Sequence, residues 1–322
     1  MPGVIDLFAQ LIASLQRRRP LPQAFAAIAR SSRGEVGITA LDLASGESVS
    51  LNGERSFPMA SLVKVPIAIA AMKQVDAGRL HMEQMVALRP SHICPGHGML
   101  GGLPVPGVSV SLKNLLQLSI IHSDNTASDA ILDAIGGACA VAECFPGVRI
   151  HRPLRSVLSE MIGVTLPPNT VFTKDMWKRA TDKPYPPARA AALEAFFNDP
   201  RDTATTAGMC EVLAGLWRGD GMSRHASQFI LDAMGRCRTG AQRLKAGLPK
   251  QIRFAHKTGS LLGKLTADMG IIEGPELPGR IAVCAFVMHS TASQRQQDRV
   301  LAELGAAIFR AAKPGARLGR GG

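Results

Sequence analysis

Aromatic residues make up only 4% of the 322 positions, and the chain holds a single tyrosine, Tyr185. Single-stranded nucleic acids are gripped by aromatic rings interleaved with basic residues, so this scarcity argues against that kind of partner. It does so even though Lys and Arg outnumber Asp and Glu by 37 to 25, a net charge of +12. The excess is partly local, in Arg17, Arg18 and Arg19 and in a Gly-rich tail with Lys313, Arg317 and Arg320. It reads as a solvated basic surface. No C-x-x-C pair occurs among the six cysteines, and no two of the eight histidines have metal-ligand spacing. A disulfide framework, a zinc site and a bound cofactor are therefore not expected. The cysteines lie mostly in apolar surroundings, such as Cys284 within Arg280–Met288, and read as buried reduced thiols. No apolar run is long enough to cross a bilayer. Residues 4–16 come nearest to an export signal, but the basic cluster follows the run and Asp6 interrupts it. An amphipathic helix is the expectation there, and a cytoplasmic location for the chain as written.

What is present is ample core-forming material, since 46% of the residues are apolar. Alternation over Val36–Leu43, a turn at Ala44–Glu47 and a return over Ser48–Leu51 form a hairpin signal. Strand patterns recur at Ile252–Ser260, Ala267–Glu273 and Arg280–His289, and a long amphipathic helix, Ala292–Ala312, follows. Between these ends the periodicity is helical: Ser61–Val75, Leu112–Ile121, Thr126–Ile135, Ala188–Phe197, Ala207–Trp217 and Arg224–Met234. Strands at both ends with helices between require a discontinuous domain. The expected division is 21–60 with 235–313, a helical domain over 61–234, an extension over 1–20 and a tail over 314–322.

Three short motifs carry chemistry. Ser61-Leu-Val-Lys64 opens a helix whose next residues are apolar nearly all round, so Lys64 falls one turn beyond Ser61 on the same face. A serine hydroxyl needs a neighbouring base, and a buried lysine beside a positive helix end has its proton loosened enough to serve. Taken alone the tetrad equally describes an N-cap serine with a snorkelling lysine. His122-Ser123-Asp124-Asn125 puts three small polar groups into a tight turn between two apolar helices, which an ordinary capped connection also explains. Lys257-Thr258-Gly259-Ser260 ends a strand, where a cation and hydroxyls beside a glycine would make an anion-binding edge. A plain strand end with a flexible glycine is the other reading.

In that order, S-x-x-K, S-D-N and K-T-G resemble the class A serine β-lactamases and the related penicillin-binding proteins. The resemblance runs from about Leu21 to Ala312 and includes Ile135-Gly-Gly137 and Asp199-Pro-Arg-Asp-Thr203. It implies an α+β fold: an antiparallel sheet from both chain ends flanked by helices, with an inserted all-helical domain and a cleft between the two. It also implies roles. Ser61 would be the nucleophile and Lys64 its proton acceptor, directly or through water. Ser123 would pass a proton to the β-lactam nitrogen, and Asn125 would touch substrate and Lys64. Lys257, Thr258 and Ser260 would meet the substrate carboxylate, and the amides of Ser61 and Ser260 would form the oxyanion hole.

The sequence departs from the family under the active site. β-Lactam-destroying members carry a glutamate and an asparagine, spaced E-x-x-L-N, in a loop there. After Arg149-Ile-His-Arg152, where that glutamate belongs, stand Pro153 and Leu154. The matching spacing is Glu194-Ala-Phe-Phe-Asn198, in a loop enlarged by a few tens of residues, and Glu194 with Asn198 is the candidate water-activating pair. An exposed glutamate on a short helix is the competing reading. Arg152 and Asp202 would close the loop's neck as an ion pair. The expected activity is hydrolysis of a β-lactam amide by a monomer acting on a small-molecule substrate. The alternatives are an esterase or peptidase on the same scaffold, or a penicillin-binding or sensor protein that acylates without deacylating.

Overall fold

The computed structural model describes residues 21–103, 107–142, 144–145, 148–167, 169–182 and 186–313. The expected helix over 4–16, the arginines at 17–19 and the tail beyond 313 lie outside these residues. In chain order the elements used below are α1 (Leu21–Ala29), β1 (Glu35–Asp42), β2 (Ser48–Leu51), α2 (Lys64–Asp76), α3 (Leu112–Ile121), α4 (Asn125–Ala134), α5 (Leu154–Met161), α6 (Lys174–Thr181), α7 (Pro187–Asn198), α8 (Arg224–Gly235), β3 (Arg253–Leu261), β4 (Leu265–Glu273), β5 (Ile281–Met288) and α9 (Gln294–Ala312). The chain divides into two compact units. Of the described residues, the first takes 21–57, 205–215 and 240–313; the second takes those within 58–204 and 216–239. The segment 205–215 thus belongs to the first unit, apart from the helical block in which its pattern placed it.

The first unit is built on a five-stranded sheet of order β2-β1-β5-β4-β3, with neighbours antiparallel. Both ends of the chain supply it, because β1 pairs with β5 over its full length, from Glu35 opposite Met288 to Asp42 opposite Ile281. Alternation along the strands sends Val36, Ile38, Val283, Ala285 and Val287 into one core with Phe25 of α1 and Val300, Leu301, Leu304 and Ile308 of α9. Burial of each large aliphatic side chain there contributes about 1.5–3 kcal/mol. β5 is buried at every position, which explains why it reads as a continuous apolar run. The strand β3 lies at the edge of this sheet, so one side of its backbone has no strand partner within it.

The second unit is helical around α2 and α4. The first nine residues of α2 are all buried, as expected of a helix that is apolar all round. Gly78 ends the turn that follows it, with φ 70° and its N–H on the Val75 carbonyl at 3.0 Å. The helices α5 and α6 fall in the proline-rich stretch 145–200, where Pro153, Pro167, Pro168, Pro184, Pro186 and Pro187 leave a helical pattern at Ala188–Phe197 alone. Cys94, Cys210 and Cys284 are buried, but Cys139 is exposed and Cys144 and Cys237 are only partly covered. The expectation of buried thiols therefore holds for half of them. No helix among the described residues is long and apolar enough to cross a membrane.

Candidate active site

The motif residues fall in both units. Ser61 is half-buried and belongs to a single 3-10 turn, Ala60–Val63, that leads into α2. It therefore does not start the α-helix, as its pattern implied; Lys64 does. Spacings of three and four look alike over one turn, which is why sequence periodicity missed the tighter winding. Ala60 is held at φ 48°, the left-handed region that costs a residue with a Cβ about 1 kcal/mol. The Met59 N–H, donated to the Asp202 carbonyl at 3.0 Å, ties this turn down from the other side.

Lys64 is fully buried. Its Nζ donates to the Ser123 carbonyl at 2.6 Å, to Asn125 Oδ1 at 2.7 Å and to Ser123 Oγ at 3.2 Å. These hydrogen bonds compensate the burial of the amine. The turn that presents them is itself held. Ser123 sits at φ 57°, and Asp124 caps α4 by accepting from the Ala127 N–H at 2.9 Å. Asp124 Oδ2 also accepts from the Met99 and Leu100 amides at 2.7 and 2.9 Å. Asn125 Nδ2 donates to the Pro95 carbonyl at 2.6 Å. Such close approach explains two glycines: a Cβ on Gly98 would lie 2.3 Å from Asp124 Oδ2, and one on Gly96 2.5 Å from Asn125 Nδ2. The cap reading of Asp124 holds.

The first eight residues of α4, Asn125 to Leu132, are all buried although four of them are polar. Each of the four is partnered, as buried polar groups must be. Ser128 Oγ donates to the Asp124 carbonyl at 2.7 Å, Thr126 Oγ1 accepts from the Cys94 N–H at 3.1 Å, and Asn125 is engaged as above. Asp129 accepts from the Leu154 and Arg155 amides at 2.7 and 2.8 Å. Burial pushes its carboxyl up to about 7, against the opposing pull of those two amides, Lys64 and Arg155.

The neck of the enlarged loop closes as its charges imply. Arg152 Nε donates to Asp202 Oδ2 at 2.6 Å, and Asp202 Oδ1 accepts from the His151 and Arg152 amides at 2.7 and 3.1 Å. Arg152 also pairs with Glu160 and with Asp199, the latter at 3.2 Å. Leu154 is buried at the first position of α5. The helix α7 buries Leu193, Phe196 and Phe197, so Glu194 and Asn198, four residues apart, share the opposite face and are exposed. They are not brought together around a buried water: Asn198 Nδ2 donates to the main-chain carbonyl of Glu194 at 3.1 Å.

In the first unit, Lys257 is fully buried and Thr258 nearly so, while Ser260 is exposed. A strand-end position implied a cation with little packing to lose; instead Lys257 is enclosed, and its Nζ donates to the Thr258 carbonyl at 2.8 Å. Lys257→Ala is therefore expected to lower the melting temperature as well as capture of a carboxylate-bearing substrate, measured by thermal melts and saturation kinetics on one preparation. Sequence reasoning missed Arg243, a buried guanidinium in a turn-rich segment without a motif. It donates to Ser260 Oγ at 2.7 Å, to the Gly259 and Ala267 carbonyls at 2.8 and 2.9 Å, and to Asp298 Oδ1 at 3.0 Å. Arg243 thus fixes the exposed Ser260 hydroxyl, while Asp298 offsets its charge. Next to Lys257 in the strand, His256 and Asp268 form a buried pair at 2.9 Å.

A family model described as the β-lactamase enzyme family matches residues 20–312. Among curated proteins the chain is 22% identical over 310 residues to the β-lactamase VEB-1 of Pseudomonas aeruginosa, covering 94% of this chain and 93% of that one. It is 27% identical over 285 residues to the β-lactamase L2 of Stenotrophomonas maltophilia, with 87% and 82% covered. Among solved structures, an ancestral class A β-lactamase superposes with a TM-score of 0.73 at 26% identity, over 90% of this chain and 99% of that one. A variant of PBP-A in an acyl-enzyme complex with penicillin G superposes with a TM-score of 0.71 at 24% identity, over 93% and 96%, a likeness of fold.

Proposed function

Because the chain belongs to the β-lactamase enzyme family, we propose that this serine hydrolase opens a β-lactam amide through an acyl-Ser61 intermediate. The observation that carries the reading is the convergence of Ser123 and Asn125 on the buried amine of Lys64, three residues from Ser61. In this reading Ser61 Oγ attacks the lactam carbonyl while its proton passes, directly or through water, to Lys64 once that amine has given up a proton. Ser123 returns a proton to the lactam nitrogen as the carbon–nitrogen bond breaks. The amides of Ser61 and Ser260 hold the developing oxyanion. Lys257, Thr258 and Ser260 take the substrate carboxylate. Water then cleaves the Ser61 ester, releasing the ring-opened acid and restoring the hydroxyl.

The last step separates this reading from a second one. Pro153 and Leu154 stand where the family's glutamate is expected, and Glu194 lies on an exposed helix face. Both observations favour a penicillin-binding protein that acylates readily and hydrolyses slowly. The proposal routes no step through Glu194. Glu194→Gln is expected to turn over at the parent's rate, and trapping of the acyl-enzyme in that variant would restore Glu194 as the base. The proposal itself is tested by following loss of β-lactam absorbance under excess benzylpenicillin. Continued ring opening beyond one equivalent supports hydrolysis; a single burst supports the acylating protein; ester turnover without β-lactam consumption moves the enzyme to the esterase class.

A further inference from the structure

A fully buried carboxylate next to the reacting groups takes no part in the steps above. Asp129 lies one helical turn beyond Asn125, so it shares the face of α4 that meets Lys64. Both of its oxygens are given to the backbone of α5: Oδ1 accepts from Leu154 and Oδ2 from Arg155. The first of those amides lies directly after Arg152 and Pro153, in the stretch where the resemblance implies a glutamate. The charged groups that act on Asp129 are Lys64 on α2 and Arg155 on α5, and it acts in turn on the buried thiol of Cys94 in the segment before α3. On the neighbouring α3, the buried hydroxyl of Ser119 is bonded to that of Ser128 at 2.8 Å. His92 and Arg89 are paired with Asp133, one turn further along α4.

We propose that Asp129 is a proton-linked positioning residue for acyl transfer at Ser61, acting through the charge of Lys64 and through the first turn of α5. Two arguments give the same sign. An ionised Asp129 is a negative charge in a dry interior close to Lys64, so it favours the ammonium and withholds the amine that must accept the Ser61 proton. The second is linkage. The enclosed carboxyl is raised from 3.8 to about 7, whereas a hydrated one titrates near 4. The closed arrangement therefore binds a proton that an opened one releases. Stabilisation of the closed arrangement is complete below the hydrated value and is lost as pH rises through the enclosed one. Raising pH through neutrality thus loosens α5 over Asp129 and opposes deprotonation of Lys64. Asparagine at this position keeps the size and one acceptor oxygen but not the titration.

The inference rests on Ser61 being the nucleophile, so the test uses two reagents. Benzylpenicillin reports β-lactam acylation, and a fluorophosphonate reports the reactivity of Ser61 whatever its natural substrate. Labelling rates of the parent and of Asp129→Asn are compared between about pH 5 and pH 9, together with amide shifts of Leu154 and Arg155 in the parent. The expected result is a variant-to-parent ratio of labelling rates that rises several-fold through neutrality, at the midpoint where both amide signals titrate. A flat ratio, amide signals that do not move with pH, or failure of both reagents to label Ser61 overturns the inference. Labelling by the fluorophosphonate alone, with the ratio rising, leaves it standing and removes the β-lactam reading. The parent's amide titration decides the matter if the variant fails to fold.

Discussion

Ser61→Ala is expected to abolish covalent labelling by benzylpenicillin and to lower turnover on the order of 10⁶-fold, the size of loss that follows removal of a nucleophile. The expectation follows from placement. Ser61 lies in a turn held at Ala60 in the left-handed region and pinned by the Met59–Asp202 bond. Three residues on, Lys64 is enclosed by the acceptors of Ser123 and Asn125. Water has no comparable route to a lactam carbonyl at neutral pH, so nothing replaces the lost hydroxyl. The variant keeps its fold, because Ser61 is only half-buried and alanine suits a helical turn. A melting curve close to the parent's, beside absent labelling, separates a chemical loss from a structural one.

The second large effect is expected at Lys64. Lys64→Met removes the amine and keeps much of the volume. Labelling of Ser61 should fall about 10²- to 10⁴-fold, the range of a lost general base. Stability is set by opposing effects. Removing a buried ammonium saves its desolvation cost, but the Ser123 carbonyl and Asn125 Oδ1 lose their donor, at about 1–3 kcal/mol for each group left unsatisfied. Lys64 also lowers the titration point of Asp129. Its removal therefore pushes that carboxyl further up, and Asp129 stays protonated at neutral pH. The net expectation is a change of at most about 3 kcal/mol beside a labelling loss of orders of magnitude, measured by denaturant unfolding and timed mass spectra.

The parts of the fold legible in the sequence were those written in local pattern. β1 and β2 fall within one residue of the hairpin signal, and β5 within one residue of its apolar run. Of the site, Ser61, Lys64, Ser123 and Asn125 stood out because one helix start and one tight turn carry them. Other features depend on contacts across long separations. Asp129 sits in an unremarkable helical run and meets the amides of residues 25 and 26 positions away. Arg243 lies in a turn-rich segment and takes its meaning from Ser260 and Asp298. Lys257 reads as polar near a strand end, which locally implies exposure, yet it lies inside β3, opposite Met269, and is enclosed. The spacing of Glu194 and Asn198 did put them on one face, but spacing does not say which way a face points; Leu193, Phe196 and Phe197 turn it outward. The proline-rich stretch hid α5 and α6, which are eight residues each and too short to show a clear period.

The central claim is that this chain forms an ester between Ser61 and the carbonyl of an opened β-lactam. The most direct measurement is intact-protein mass after brief exposure to benzylpenicillin and acid quench, followed by peptide mapping of the adduct. The account predicts a mass gain equal to the whole penicillin, carried by the peptide that contains Ser61 and fragmenting to that residue. An adduct on any other side chain, or no adduct at any quench time while the drug is left unconsumed, would contradict it.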